Sequence, residues 1–378
     1  MPVTILSGVT SKFGELWDVS PRNLVKEVAL AAADEAGFAL DKIEAVFVGN
    51  MLSSSLGGQD HLGAFFSEEL GLSVPAVKIE AACASGGMAA HLAYLAIKSG
   101  QYKNVLVVGV EKMTDHKPEA VAAALMGAGS EGEREAGATF PALYALIARA
   151  HMLKYGTTEA AMAEVSVKNH FHASLNSHAQ FTNRITRQMV MESPVVASPL
   201  KILDCSPITD GAAALILSSK PLKKGIIISA SQAATDSLGL AQRLDLTTLK
   251  AAVSASNKAY QEAGVKPEDI KVAEVHDCFS IAEIIAMEDL GFFPKGEAAS
   301  AIEKGKTQLG NNRLVVNTSG GLKAAGHPVG ATGVKQLVEV YQQLKGISGK
   351  KQVPGADLGL THNIGGSGAT AVIHILKK

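Results

Sequence analysis

Cysteine is scarce. The chain has 378 residues and three cysteines, Cys83, Cys205 and Cys278, odd in number and far apart. That makes neither a disulfide framework nor a zinc pattern, so a reducing cytoplasm is expected and each thiol is open to chemistry. An excess of charge of one sign is also missing. Lys and Arg total 35 against 36 for Asp and Glu, a formal net charge of −1, so the global balance recruits neither nucleic acid nor an anionic membrane. No apolar run reaches membrane-spanning length. The opening MPVTILSGVTSKFGELWD lacks the charged, apolar and small-residue order of a secretory signal.

What remains is a chain with 47% hydrophobic and 19% charged residues, rich in Gly and Ala, which suits a well-buried soluble α/β protein. Its length exceeds one ordinary core. The chain also repeats itself. Glu35-Ala36-Gly37 recurs as Glu262-Ala263-Gly264 and Ile43 as Ile270, both 227 positions on. Each copy reads as a helix stopped by Gly, a short turn and an apolar strand. SGGMAAHLAYLAIK from Ser85 echoes TGVKQLVEVYQQLK from Thr332, and DGAAALIL from Asp210 echoes SGATAVIH from Ser367, the last pair only 157 positions apart.

The falling offset leaves about 70 additional residues in the first half, expected at about 115–195, where EGEREAGATF and a polar-interrupted helical pattern stand out. Two similar α/β halves are expected, 1–220 and 221–378, the first carrying a helical insertion. NVLVVGV (104–110) and LVVNTSG (314–320) read as buried strands.

Four segments carry chemistry. KIEAACASGGMAAHLAYLAI, from Lys78, places Cys83 at a strand-to-helix turn. There, unpaired N–H groups and the helix dipole are expected to lower the thiol pKa and to hold an oxyanion. The alternative is a buried cysteine packing as a small hydrophobe. NTSGGLKAAGHPVGATG (317–333) is the second-half counterpart and puts His327 before a helix. A pseudo-twofold would bring the two turns together, giving a thiol a base. EVHDCFS (274–280) sets His276, Asp277 and Cys278 side by side, as a metal site, a strand end or half of a two-thiol site. THNIGGSGATAVI, from Thr361, is a Gly-rich turn presenting backbone donors, with Gly365 the leading candidate.

These segments, with GVEKMTD (109–115) and VKNHFHASLNSHAQF (167–181), resemble the thiolase superfamily over essentially the whole chain. HDCF at 276–279 and His362-Asn363 before Ile364-Gly365-Gly366 resemble its sterol-carrier-protein-type branch. The resemblance implies a thiolase-like fold: two pseudo-repeated α/β halves in α-β-α-β-α layers, with a helical loop domain in the first half. It implies a Claisen condensation, or the reverse thiolysis, between an acyl-CoA such as acetyl-CoA and a 3-ketoacyl-CoA through an acyl-Cys83 intermediate. Cys278 would be the second, acid/base thiol, with His327 the base, His276 an enolate-stabilising group and Gly365 an oxyanion donor. Asn363 stands where most thiolases carry their second cysteine.

Coenzyme A would be substrate and product, with no tightly bound cofactor. A homodimer or homotetramer is implied, and a small acyl-CoA-binding partner is known among relatives. A ketosynthase, a hydroxymethylglutaryl-CoA synthase-like enzyme and a non-catalytic acyl-CoA or lipid-binding scaffold are the competing readings. A metal enzyme would need His170, His172 and His178, or His276, Asp277 and Cys278, to converge; neither spacing is a metal motif. Cys205 reads as structural, and Lys154 and Lys168 as solvated helix residues rather than coenzyme A ligands.

Overall fold

Strands and helices alternate along both halves of the chain. The computed structural model describes residues 1–222, 225–311 and 313–378. The first half runs β1 (Thr4–Thr10), α1 (Pro21–Ala36), β2 (Ala45–Gly49), α2 (Leu62–Glu69), β3 (Ala76–Ile79), α3 (Ser85–Lys98) and β4 (Asn104–Glu111). Five helices follow, α4 (Pro118–Leu125), α5 (Glu131–Glu135), α6 (Phe140–Tyr155), α7 (Glu159–Ala173) and α8 (Arg187–Glu192). A small hairpin, β5 (Val195–Ala197) and β6 (Leu200–Lys201), then precedes β7 (Gly211–Ser218).

The second half runs β8 (Ile226–Thr235), α9 (Lys250–Ala263), β9 (Val272–Glu274), α10 (Ser280–Asp289), α11 (Ala298–Glu303), β10 (Val315–Val316), α12 (Val329–Lys345), β11 (Leu358–Gly365) and β12 (Thr370–Lys377). Among the described residues no helix is long and apolar enough to cross a membrane.

The duplication is visible in the topology. The first half orders its strands β3-β2-β4-β7-β1 and the second β10-β9-β11-β12-β8. In each, the first two neighbouring pairs are parallel and the last two antiparallel. The repeated Glu-Ala-Gly is a helix end in both copies: Gly37 caps α1 at φ +57° and Gly264 caps α9 at φ +65°, a left-handed conformation that suits glycine. A short antiparallel pairing of Thr4 and Ile5 with Ile227 and Ile226 joins the two sets into one ten-stranded sheet.

α3 and α12 form the middle layer, packed on each other and on strands of both halves, while α1 covers the far side of the first set and α9 the far side of the second. This is the expected five-layer arrangement. LVVNTSG is shorter as a strand than expected: only Val315 and Val316 pair, because Asn317 turns the chain at φ +58°.

Glycine lets the two central helices touch at their N-termini. A Cβ on Gly86 would lie 2.6 Å from the Gly330 carbonyl oxygen, and one on Gly333 would collide with the backbone nitrogen of Gly87. That crossing brings the turns before α3 and α12 together. α12 is buried nearly all round yet carries Lys335, Gln336, Glu339 and Gln343. Each finds a partner: Lys335 meets Glu274 at 3.2 Å, Lys351 meets Glu339, and the amides of Gln336 and Gln343 donate to the carbonyls of His362 and Lys351. Such pairing offsets most of the cost of burying polar groups, although the Gln336 Oε1 has no partner among the described residues.

Candidate active site

The Cys83 turn is strained and heavily tied. Ala82 has φ +52°, a region that costs a non-glycine residue about 1–3 kcal/mol. The Ser85 hydroxyl holds it by accepting from Ala81 N (2.9 Å) and donating to Ala82 O (2.6 Å). The second turn is held from below. Glu274 accepts from Ser319 N (3.0 Å) and Asp277 from Leu322 N (2.6 Å), and the Thr209 hydroxyl takes the N–H of His327 itself (2.9 Å).

The side chains these turns present converge. One ligand atom each of Cys83, His276 and His327 lies within 4.8 Å of the others, and the two imidazoles meet edge to face at 5.0 Å. Cys278 lines the same cavity of about 350 Å³. Beyond β9 the chain turns tightly, with the Asp277 N–H donating to Val275 O (3.1 Å), and this separates the HDCF side chains. His276 and Cys278 line the cavity while Asp277 turns to Asn169, Leu322 and Lys323. His276, Asp277 and Cys278 therefore do not form a ligand set. Nor do His170, His172 and His178 converge: their Nδ1 atoms bind the separate carbonyls of Asn183, Asn317 and Thr10.

Hydrogen bonds assign the two imidazole tautomers. The Thr332 hydroxyl donates to Pro328 O (3.0 Å), so at 2.7 Å it accepts from His327 Nδ1–H. Nε2 of His327 keeps its lone pair, is buried, and has no partner among the described residues. Asn363 works in the other direction. Its Oδ1 accepts from Gly87 N (3.0 Å), which fixes the amide; its Nδ2 then donates to Cys83 O (3.0 Å) and to His276 Nδ1 (3.2 Å). His276 thus carries its proton on Nε2. One ring offers an acceptor and the other a donor.

Burial dominates the electrostatics. It drives His327 down to about 3 and His276 well below the ordinary histidine value, so both are neutral near pH 7. Burial likewise pushes the Cys83 thiol up to about 12, against the partial lowering by the Gly366 N–H, and pushes Cys278 up as well. This corrects the expectation of a depressed Cys83 pKa: desolvation outweighs the helix end. The resting pair is thiol and neutral imidazole, not an ion pair.

Gly365 does not face this cavity. It is the last rung of β11, opposite Thr370, and the neighbouring Gly366 lines the cavity and turns its N–H to Cys83. Cys205, read as structural, also forms part of the cavity wall. Lys168 is not on a solvated face; it is buried against Glu283 at 2.9 Å. Lys154 does sit at the surface, beside Asp245. Sequence reading passed over Tyr144, Thr332 and Gly366. Only Thr332 left a trace there, five residues past His327 on the first turn of a helix.

The fold and this convergence define a thiolase-type acyltransferase. The chain belongs to the thiolase family: residues 3–221 match the family described as "Thiolase, N-terminal domain" and residues 232–378 the "Thiolase C-terminal domain-like" family. It is 46% identical over 382 residues to an acetyl-CoA acetyltransferase of Methanothermobacter thermautotrophicus, covering 100% of this chain and 99% of that protein. It is 32% identical over 369 residues to sterol carrier protein 2 of Bos taurus, covering 93% of this chain and 67% of that protein. A solved structure described as "Ltp2-ChsH2(DUF35) aldolase" shares the fold with a TM-score of 0.85 at 22% identity, over 100% of this chain and 97% of that one.

Proposed function

We propose that the chain condenses two acyl-CoA molecules, one of them acetyl-CoA, with Cys83 carrying the acyl group and Cys278 moving the α-proton. The observation that carries this reading is the meeting of both thiols with two imidazoles of opposite tautomer in one apolar cavity. As Cys83 Sγ attacks the first thioester carbonyl, its proton passes to the free Nε2 of His327. The oxyanion rests on the N–H groups of Gly366 and Cys83. Collapse expels the coenzyme A sulfur, which takes the proton of Cys278.

The site then holds acyl-Cys83, a Cys278 thiolate and a His327 imidazolium. The thiolate removes the α-proton of the second acyl-CoA. The Nε2–H of His276 and that of protonated His327 both stabilise the enolate oxygen. The carbanion attacks acyl-Cys83, the new 3-ketoacyl-CoA leaves, and His327 returns its proton to the Cys83 sulfur. Every proton is accounted for, and thiolysis is the same path reversed.

Intact mass measurement after mixing with acetyl-CoA tests this. An acetyl adduct on the Cys83 peptide is expected, absent in Cys83→Ala; an adduct that persists in the variant overturns the assignment. Consumption of acetoacetyl-CoA that depends on coenzyme A separates this reading from a non-catalytic scaffold.

The halves act as one unit, 1–220 with 221–378, since the cavity takes residues from both. Copies of the chain pair through the first-half edge, where among the described residues β3 has no outer neighbour and Val77, Leu92 and Leu95 are exposed. The three cysteines are free, in keeping with a cytoplasmic setting. A small acyl-CoA-binding partner is proposed too; the solved neighbour that pairs with a DUF35 protein supports it.

A further inference from the structure

The turn after β11 has a problem of its own making. Gly365, Gly366 and Gly368 surround Ser367, with Gly366 at φ +61° and Gly368 at φ +105°. A run so rich in glycine has the largest entropy to lose on ordering, yet it must keep the Gly366 N–H aimed at Cys83. Its own backbone bonds run back to Gly365 O from Gly368 and Ala369 and leave the Gly366 and Ser367 carbonyls free. Side chains from two other segments take them.

The Tyr144 hydroxyl, from α6, donates to Gly366 O (3.2 Å). Arg243 Nη1 donates to Ser367 O (2.7 Å), and its Nη2 to Ser237 O (2.9 Å). Among the described residues no carboxylate lies within ion-pair distance of Arg243, and its Nε is buried without a partner. The guanidinium charge is therefore spent on carbonyls.

Tyr144 has a second neighbour. Its ring packs on Phe279, centroids 4.7 Å apart, which sets the hydroxyl beside Cys278. Cys83, Tyr144 and Cys278 line the same cavity; burial and then Cys83 push the Cys278 thiol up, and the Tyr144 hydroxyl, together with the Phe279 N–H, pulls it back down. The phenol has one proton and two acceptors in reach: the Gly366 carbonyl, and the Cys278 sulfur once it is ionised. A thiolate is the stronger acceptor.

We propose that the Tyr144 hydroxyl serves the two half-reactions in turn, holding the Gly366 carbonyl during acyl transfer and swinging to the Cys278 thiolate during carbon–carbon bond formation, while Arg243 keeps the turn in place. Tyr144 is a positioning residue in the first step and a donor to a reacting atom in the second. This rests on the roles proposed above for Cys83 and Cys278. It gives the helical segment between β4 and β7 a part in the chemistry beyond walling the cavity.

Tyr144→Phe removes the hydroxyl and keeps the ring on Phe279. With a hydrogen bond to an ionised group lost, condensation should slow about 10- to 100-fold in kcat, with KM changed less than about threefold and the Cys83 acetyl adduct forming within about fivefold of the native rate. Alkylation of Cys278 should move to higher pH. Equal losses in both half-reactions, or no loss in either, overturn the proposal.

Should the Phe variant fold poorly, 3-fluorotyrosine at position 144 keeps shape and proton but makes the phenol more acidic. It should shift the pH profile of condensation and not that of adduct formation; an unmoved profile overturns the proposal. Arg243→Lys should restore most of the adduct formation lost in Arg243→Ala. Native enzyme that forms no Cys83 adduct defeats the underlying reading instead, which keeps the two failures apart.

Discussion

The turns before α3 and α12 occupy the same place in the two halves, and they are built differently. The Cys83 turn is half-buried, bears a left-handed alanine, and is tied chiefly by Ser85 and Asn363. The His327 turn is fully buried and pinned by Glu274, Asp277, Lys335 and Thr209. On the roles proposed above, Cys83 has to meet a large substrate, which suits a turn open on one side. A base that must present one nitrogen at one angle is better held by a core. The strand ends before them diverge in the same sense. Beyond β2, Asn50 is absorbed by Glu111 and the Val110 carbonyl, whereas beyond β9, His276 is released into the cavity.

The contrast can be broken at its strongest point first. His327→Ala should lower the rate of Cys83 acetylation about 10²–10⁴-fold, read by rapid-quench mass measurement, with the urea midpoint near that of the native chain. A small rate loss with a large drop in stability would mean the turn is only a structural plug. The helix crossing is next. Gly333→Ala forces a Cβ onto the Gly87 backbone and should cost about 1–3 kcal/mol in urea unfolding, with acetylation falling as the turns part. A neutral result would show that the two helices do not need their glycines.

The smallest effect sharpens the electrostatics. With His327 held down to about 3 and Cys83 pushed up to about 12, neither group changes charge between pH 5 and 8. Acetylation measured as kcat/KM should then vary less than about threefold over that range. An acid limb centred near the ordinary histidine value would overturn the neutral-pair description.

The fold was largely legible, because a duplication leaves echoes whose order survives divergence and whose Gly stops mark helix ends. Cys83 and His327 could be located because a thiol and an imidazole on equivalent Gly-rich turns are rare chemistry. Gly366 could not be told from Gly365, since strand pairing with Thr370 decides which of two adjacent glycines leaves the ladder. Lys168 was misplaced for a related reason. Its helix reads as polar on that face, and only the packing of α7 on α10 puts Glu283 there to neutralise it.

Residue types and their order along the chain were enough to specify two α/β halves, a thiol, an imidazole and a second thiol, since those follow from local pattern and repeat. The state of those groups was a tertiary matter. Burial set the direction of each pKa, Thr332 and Asn363 selected opposite tautomers, and Tyr144 arrived from another segment of the chain. Each of these depends on which atoms lie within about 3 Å through space, a relation that linear order does not encode.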